Sequence, residues 1–136
     1  MADASTLAAL RAAAFAAMEH AYAPYSKFRV GAALLTPEGE IFAGCNVENA
    51  AYPSGTCAER TAIGAAVVRG RRTFTHVVVA TEAGTPTPPC GMCRQVLHEF
   101  APDCRVISVT RGGAEAAWQL AELLPYAFES SSLRDA

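Results

Sequence analysis

The chain has 136 residues, of which 51% are hydrophobic and 18% charged, with a formal net charge of −2. That balance excludes a disordered or fibrous chain and suits one globular domain with a core that needs no disulfide staples. The one basic cluster, Arg69-Gly70-Arg71-Arg72, is too short to track a phosphate backbone, so nucleic acid is not the expected partner.

The N-terminus makes a poor secretory leader, because Asp3 stands where basic residues belong and Arg11 interrupts the apolar stretch. No apolar run approaches bilayer length, so no membrane is expected and a cytoplasmic protein is. Ser5 is placed to cap a helix running to about Tyr22, with Leu7, Leu10, Ala14, Phe15 and Met18 on one face. Pro24 ends it. Arg29 to Leu35 reads as a strand, Thr36-Pro37-Glu38-Gly39 as a turn, and Glu40 to Val47 as the antiparallel partner strand. Glu48 to Thr56 is a loop, and a helix is predicted from Cys57 to about Arg69.

Thr75 to Thr81 holds Val77-Val78-Val79, an apolar run that suits a central strand buried on both faces. A loop with Gly84, Pro86, Pro88 and Pro89 leads to a second helix, Cys90 to about Phe100. Arg105 to Val109 and Ala116 to Leu120 are short strands too close in sequence for a parallel crossover, so they form a hairpin. Glu122 to Phe128 forms a final helical turn or two around Pro125, and the tail from about residue 129 is polar and loose. The fold class is α/β: a single domain over 1–136, a three-layer α-β-α sandwich around one mixed five-stranded sheet.

The chemistry concentrates in the cysteines, five in all. Outside an oxidising compartment they read as metal or catalytic thiols rather than disulfides. Cys90-x-x-Cys93 alone is either a redox dithiol or half of a zinc site. Cys57 offers a third thiol at the start of another helix. Thr56-x-x-Glu59 fits a capping box, which would leave Cys57 as a small buried hydrophobe. Yet Cys57 and Glu59, at i and i+2, lie roughly 200° apart around a helix axis. They converge only on something beyond the N-terminal end. A metal bound by Cys57 and not by Glu59 meets that condition. Three thiolates on zinc carry a net charge of about −1, and Arg60 and Arg94 stand at i+3 and i+4 from Cys57 and Cys90, where each can lie near a sulfur. Three protein ligands leave a fourth position open, as in catalytic zinc. Cys45 and Cys104 lack local partners and read as buried small hydrophobes.

Cys57-Ala58-Glu59 with Pro89-Cys90-x-x-Cys93 resembles the zinc-dependent nucleoside and nucleobase deaminases. Further segments are similar to the small homotetrameric cytidine deaminases: Ala23-Pro-Tyr-Ser-Lys-Phe28, Val30-Gly-Ala-Ala-Leu34, Gly44-Cys-Asn-Val-Glu-Asn49, Pro89-Cys-Gly-x-Cys-Arg-Gln95 and Glu122-Leu-Leu-Pro125. The resemblance spans about residues 7 to 128. It implies one zinc per chain on Cys57, Cys90 and Cys93, with Glu59 as proton shuttle and Arg60 offsetting the thiolate charge. It implies that Phe28 packs on the pyrimidine, that Ala58 contacts substrate, and that Asn46 and Glu48 bond the ribose 3′-hydroxyl. Tyr52 and Phe128 are expected to reach a neighbouring subunit's site in a homotetramer. The implied activity is hydrolytic deamination of free cytidine and 2′-deoxycytidine, with release of ammonia, in pyrimidine salvage. Pro53-Ser-Gly-Thr56 matches no fixed family pattern. Other readings remain at this stage: a deaminase for another aminated base such as guanine or for blasticidin S, a thioredoxin-like redox protein, or a structural zinc module.

Overall fold

The computed structural model describes residues 2–134. Five strands form one sheet: β1 (Val30–Leu35), β2 (Ile41–Cys45), β3 (His76–Thr81), β4 (Arg105–Thr110) and β5 (Glu115–Gln119). Their spatial order is β2-β1-β3-β4-β5. Only β3 and β4 pair in parallel, and β1–β2, β1–β3 and β4–β5 are antiparallel. The mixed five-stranded sheet and the final hairpin agree with the sequence reading.

Side-chain alternation along each strand splits the core into two layers. Ala33, Leu35, Val78, Ala80, Ile107 and Val109 face helix α1 (Ala4–Met18), which buries Leu10, Ala14 and Met18 against them. Ala32, Leu34, Val77, Val79 and Val106 face the other way. That layer is covered by α2 (Ala58–Val68), α3 (Gly91–Phe100) and the short α4 (Leu120–Leu123). The central strands are buried on both sides, which explains their unbroken apolar runs.

Several helix boundaries differ from the sequence reading, each for an identifiable reason. Asp3, not Ser5, caps α1: its carboxylate accepts from Thr6 N at 2.8 Å and from the Ser5 hydroxyl at 3.1 Å. The helix stops at Met18 rather than near Tyr22, because Tyr22 is needed elsewhere. Its N–H donates to the Asn46 carbonyl at 3.0 Å, and its carbonyl accepts from Glu48 N at 2.8 Å. Near the C-terminus, α4 ends before Pro125, whose ring drives Leu124 out of the helical region to φ −146°, ψ 71°. Gln119 and Glu122 form the capping box that starts α4. Ser130–Arg134 forms a short helix, α5, in a stretch whose polar composition favours a loose tail.

The topology places the N-termini of α2 and α3 together. Strands β2 and β3 both run antiparallel to the β1 between them, so both end on the same side of the sheet. The helices that follow, α2 and α3, therefore begin there. A close contact then seats α2. A Cβ on Gly44 would lie 2.3 Å from Thr61 Oγ1, 2.4 Å from Ala62 N and 2.8 Å from the Ala58 carbonyl. Thr61 Oγ1 bridges the same junction, 2.8 Å from the Cys45 carbonyl and 2.9 Å from that of Ala58. Gly44→Ala is expected to destabilise the fold by about 1–3 kcal/mol through overpacking against backbone. Gly64→Ala, on the exposed face of α2 where a Cβ meets nothing within 4 Å, should stabilise by about 0.4–1 kcal/mol. Urea unfolding midpoints of the two variants check both signs.

Candidate active site

Cys57 and Cys90 are the N-cap residues of α2 and α3, with extended backbones at φ −72°, ψ 157° and φ −66°, ψ 166°. Neither cap side chain accepts from the backbone N–H groups of its own helix, which leaves both sulfurs able to face each other. The alternative Thr56–Glu59 capping box does not form, because Cys57 and not Thr56 is the N-cap. Thr56 instead pairs both backbone groups with Val47, each bond 2.9 Å, in an isolated antiparallel bridge. That bridge closes the loop from residue 48 to 55 and delivers the chain to Cys57.

Cys93, in the first turn of α3, completes the cluster. The three Sγ atoms lie within 4.8 Å of one another, and Cys57 Sγ is 4.0 Å from Cys90 Sγ. A tetrahedral zinc with Zn–S bonds near 2.3 Å requires sulfurs about 3.8 Å apart, so the spacing fits. Sulfurs this close repel as thiolates unless a cation sits among them. The hydrogen bond from Cys93 draws the Cys57 thiol down to about 5, with Arg60 adding to the effect, while the same contact and burial push Cys93 up. Arg60 Nη2 lies 3.6 Å from Cys57 Sγ. Its Nε is buried without a hydrogen-bond partner, a costly placement that concentrated negative charge nearby offsets. Cys57, Cys90 and Cys93 form a group suited to hold zinc.

Arg94 does not reach a sulfur. Its Nε donates to the Pro89 carbonyl at 2.7 Å and its Nη1 to the Leu123 carbonyl at 2.9 Å. It braces the loop before Cys90 against the end of α4. Cys104 is buried as expected, whereas Cys45 is only partly buried.

A cavity of about 280 Å³ opens beside the thiols. Buried Ala58 and Glu59 form its floor, Cys57 and the exposed Cys90 lie beside them, and Phe28, Asn46 and Glu48 also line it. Glu59 is only 4% exposed, and burial raises its carboxyl to about 7. Asn46 is a structural clamp as well as a wall: its Oδ1 accepts from Val30 N and its Nδ2 donates to the Phe28 carbonyl, both at 2.8 Å. Glu48 accepts from Tyr25 N at 3.0 Å, from Ser26 N at 3.1 Å and from the Ser26 hydroxyl. The Ser26 hydroxyl and then the backbone amides hold its carboxyl below the usual range.

Tyr52 and Phe128 are not brought to this cavity. Tyr52 is 75% exposed and stacks edge-on against Tyr25, with ring centroids 5.9 Å apart, beside an adjoining surface cavity that shares Ser26 and Glu48 with the first. Phe128 is 59% exposed, its backbone held by the Gln95 amide through bonds of 2.8 and 3.2 Å. The sequence reading missed Ser26, Val30, Val79, Thr81 and Thr87 as lining residues. Strand parity could have found two of them: Val77, Val79 and Thr81 alternate onto one face, and the last two lie toward the strand's carboxyl end, where α2 and α3 start.

Three cysteine ligands leave zinc a fourth position, which makes this a site of the catalytic class, with a buried carboxylate at hand. Residues 4–109 match the family described as the cytidine and deoxycytidylate deaminase zinc-binding region. A cytidine deaminase of Halalkalibacterium halodurans is 44% identical over 123 residues, covering 90% of this chain and 93% of that protein. One from Sporosarcina psychrophila is 47% identical over 119 residues, covering 86% and 87%. The crystal structure of a Burkholderia pseudomallei cytidine deaminase superposes with a TM-score of 0.86 at 48% identity, covering 89% of this chain and 98% of that one. The chain belongs to the cytidine and deoxycytidylate deaminase family and is a zinc-dependent deaminase. Purified protein should carry zinc in a one-to-one ratio by elemental analysis. Arg60→Gln should weaken zinc retention by on the order of 10–100-fold in a chelator competition, because an outer partner of the ligands is lost.

Proposed function

We propose that the protein hydrolyses free cytidine and 2′-deoxycytidine to uridine and 2′-deoxyuridine, releasing ammonia. The observation that carries this reading is the position of Glu59, buried at the floor of a nucleoside-sized cavity and adjoining the three thiols without joining the ligand group. The relatives named above as cytidine deaminases cover most of the chain and support the choice of substrate. Zinc, when bound, supplies Lewis-acid activation of the attacking water.

Glu59 takes a proton from that water as it adds to C4 of the cytosine ring. It delivers that proton to N3, then moves the remaining proton of the added hydroxyl to the amino group, so that C4=O forms as the C4–N bond breaks and ammonia departs. The raised carboxyl of Glu59 suits both halves of that cycle, since a shuttle works best near the operating pH. Phe28 packs on the pyrimidine, and Ala58, at the first position of α2, closes the floor beneath it. Glu48 accepts a hydrogen bond from the ribose 3′-hydroxyl. Asn46, with both side-chain polar atoms already bonded to backbone, retains one N–H and one lone pair for the same sugar edge. Such contacts suit a free sugar hydroxyl and ignore the 2′ position, so both nucleosides are substrates.

The active species is a homotetramer acting in the cytoplasm. Tyr52 and Phe128 support the assembly, because each is a large exposed aromatic that lines no part of the cavity beside its own chain's thiols. No helix among the described residues is long and apolar enough to cross a membrane. Glu59→Gln should retain zinc and fold while losing roughly 10²–10⁴ in kcat, read from the loss of cytidine absorbance together with ammonia release. Normal turnover by that variant would remove Glu59 from the mechanism. Light scattering under assay conditions should give four chains per particle, and an active monomer would overturn the shared-site reading.

A further inference from the structure

In the loop over the cavity, residues 23 to 28, one hydroxyl links Glu48 to the backbone of Phe28. Ser26 Oγ donates to a Glu48 carboxylate oxygen, Oε2, and accepts from Phe28 N at 3.0 Å. The direction of both bonds is set by chemistry, since an ionised carboxylate has no proton to give and an amide N–H has no lone pair. The other Glu48 oxygen, Oε1, is saturated by Tyr25 N and Ser26 N. The remaining acceptor capacity of the carboxylate is therefore on the oxygen that Ser26 orients. Lys27, between Ser26 and Phe28, sits at φ +60°. A non-glycine residue holds that left-handed conformation where its surroundings impose it. The turn it makes brings Phe28 N back onto Ser26 Oγ.

We propose that Ser26 is a positioning residue for sugar recognition, its hydroxyl orienting the free oxygen of Glu48 while fixing the backbone of the base-packing Phe28. The side chains expected to meet the two halves of the nucleoside are thus linked through one hydroxyl, alongside the amide bonds to Glu48 and the Asn46 bond to the Phe28 carbonyl. The inference rests on the reading of Glu48 as the acceptor for the 3′-hydroxyl. It goes beyond that reading by assigning the orientation of Glu48 to a residue outside the zinc site.

The test compares kcat/KM for cytidine with that for 3′-deoxycytidine. The ratio isolates the sugar contact, because any loss through Phe28 falls on both nucleosides alike. Ser26→Ala should lower the ratio by about tenfold, through KM rather than kcat, at unchanged zinc content, and Ser26→Thr should restore most of it. In a Glu48→Gln background, Ser26→Ala should change the ratio no further. An unchanged ratio, or an additive effect in the Glu48→Gln background, would overturn the role of Ser26 in sugar recognition. If Glu48→Gln lowers the ratio and Ser26→Ala does not, the Ser26 proposal alone falls. If Glu48→Gln itself leaves the ratio unchanged, the sugar reading falls and the Ser26 proposal falls with it.

Discussion

Three sulfurs from two distant segments must meet at one point, and most of the structure serves that requirement. Thiolates at such spacing repel, so the cluster holds together only around a cation, with helix N-termini and Arg60 adding positive potential. Two helix N-termini can meet only if the strands before them end on the same side of the sheet. The order β2-β1-β3, with β1 antiparallel to both neighbours, achieves this. Gly44 lets the first turns of α2 sit directly on β2, so the position of Cys57 follows from backbone packing rather than from a flexible side chain. Arg94 plays the matching part for α3 by tying the Pro89 carbonyl to its own helix.

The part of the cavity lined by Phe28, Asn46 and Glu48 is built by a different device. Here the chain is irregular, and side chains take over the bonds that a sheet would provide. Asn46 holds the two backbone groups that flank Arg29, Glu48 gathers two amides and a hydroxyl, and Tyr22 leaves its helix to pair beside them. Each polar group used in this way is oriented before any ligand arrives. That lowers the cost of binding, because less side-chain freedom remains to be lost. The sheet and helix ends place the three thiols and Glu59, while the loops place Phe28, Asn46 and Glu48 around the same cavity.

Much of this was legible in the residues. The Cys90-x-x-Cys93 spacing, the third thiol at Cys57 and the i, i+2 offset of Glu59 describe a metal cluster with a carboxylate beside it, and the three thiols do converge. The alternation and apolar runs of Val30–Leu35, His76–Thr81 and Arg105–Thr110 mark the central strands because both faces there are buried. Local chemistry misled where a tertiary partner competed for the same group. Thr56 looks like a helix cap but bonds Val47 through its backbone, and Arg94 looks like a thiolate partner but binds carbonyls. Ser26 carried no signal, since a hydroxyl in a loop becomes significant only once Glu48 and Phe28 are seen around it.

By itself the sequence determined most of the periodic elements and the three thiols of the metal-binding group, and it singled out Glu59 as the carboxylate beside them, because these depend on residue type and short-range spacing. The tertiary structure alone decided which ends of those elements meet and which hydroxyls and amides hold Asn46 and Glu48. It also showed that Tyr52 and Phe128 stand outside their own chain's cavity. The reason is geometric. Convergence of Cys57 with Cys90, or of Ser26 with Glu48, depends on strand order and loop closure across tens of residues, and no local preference encodes those distances.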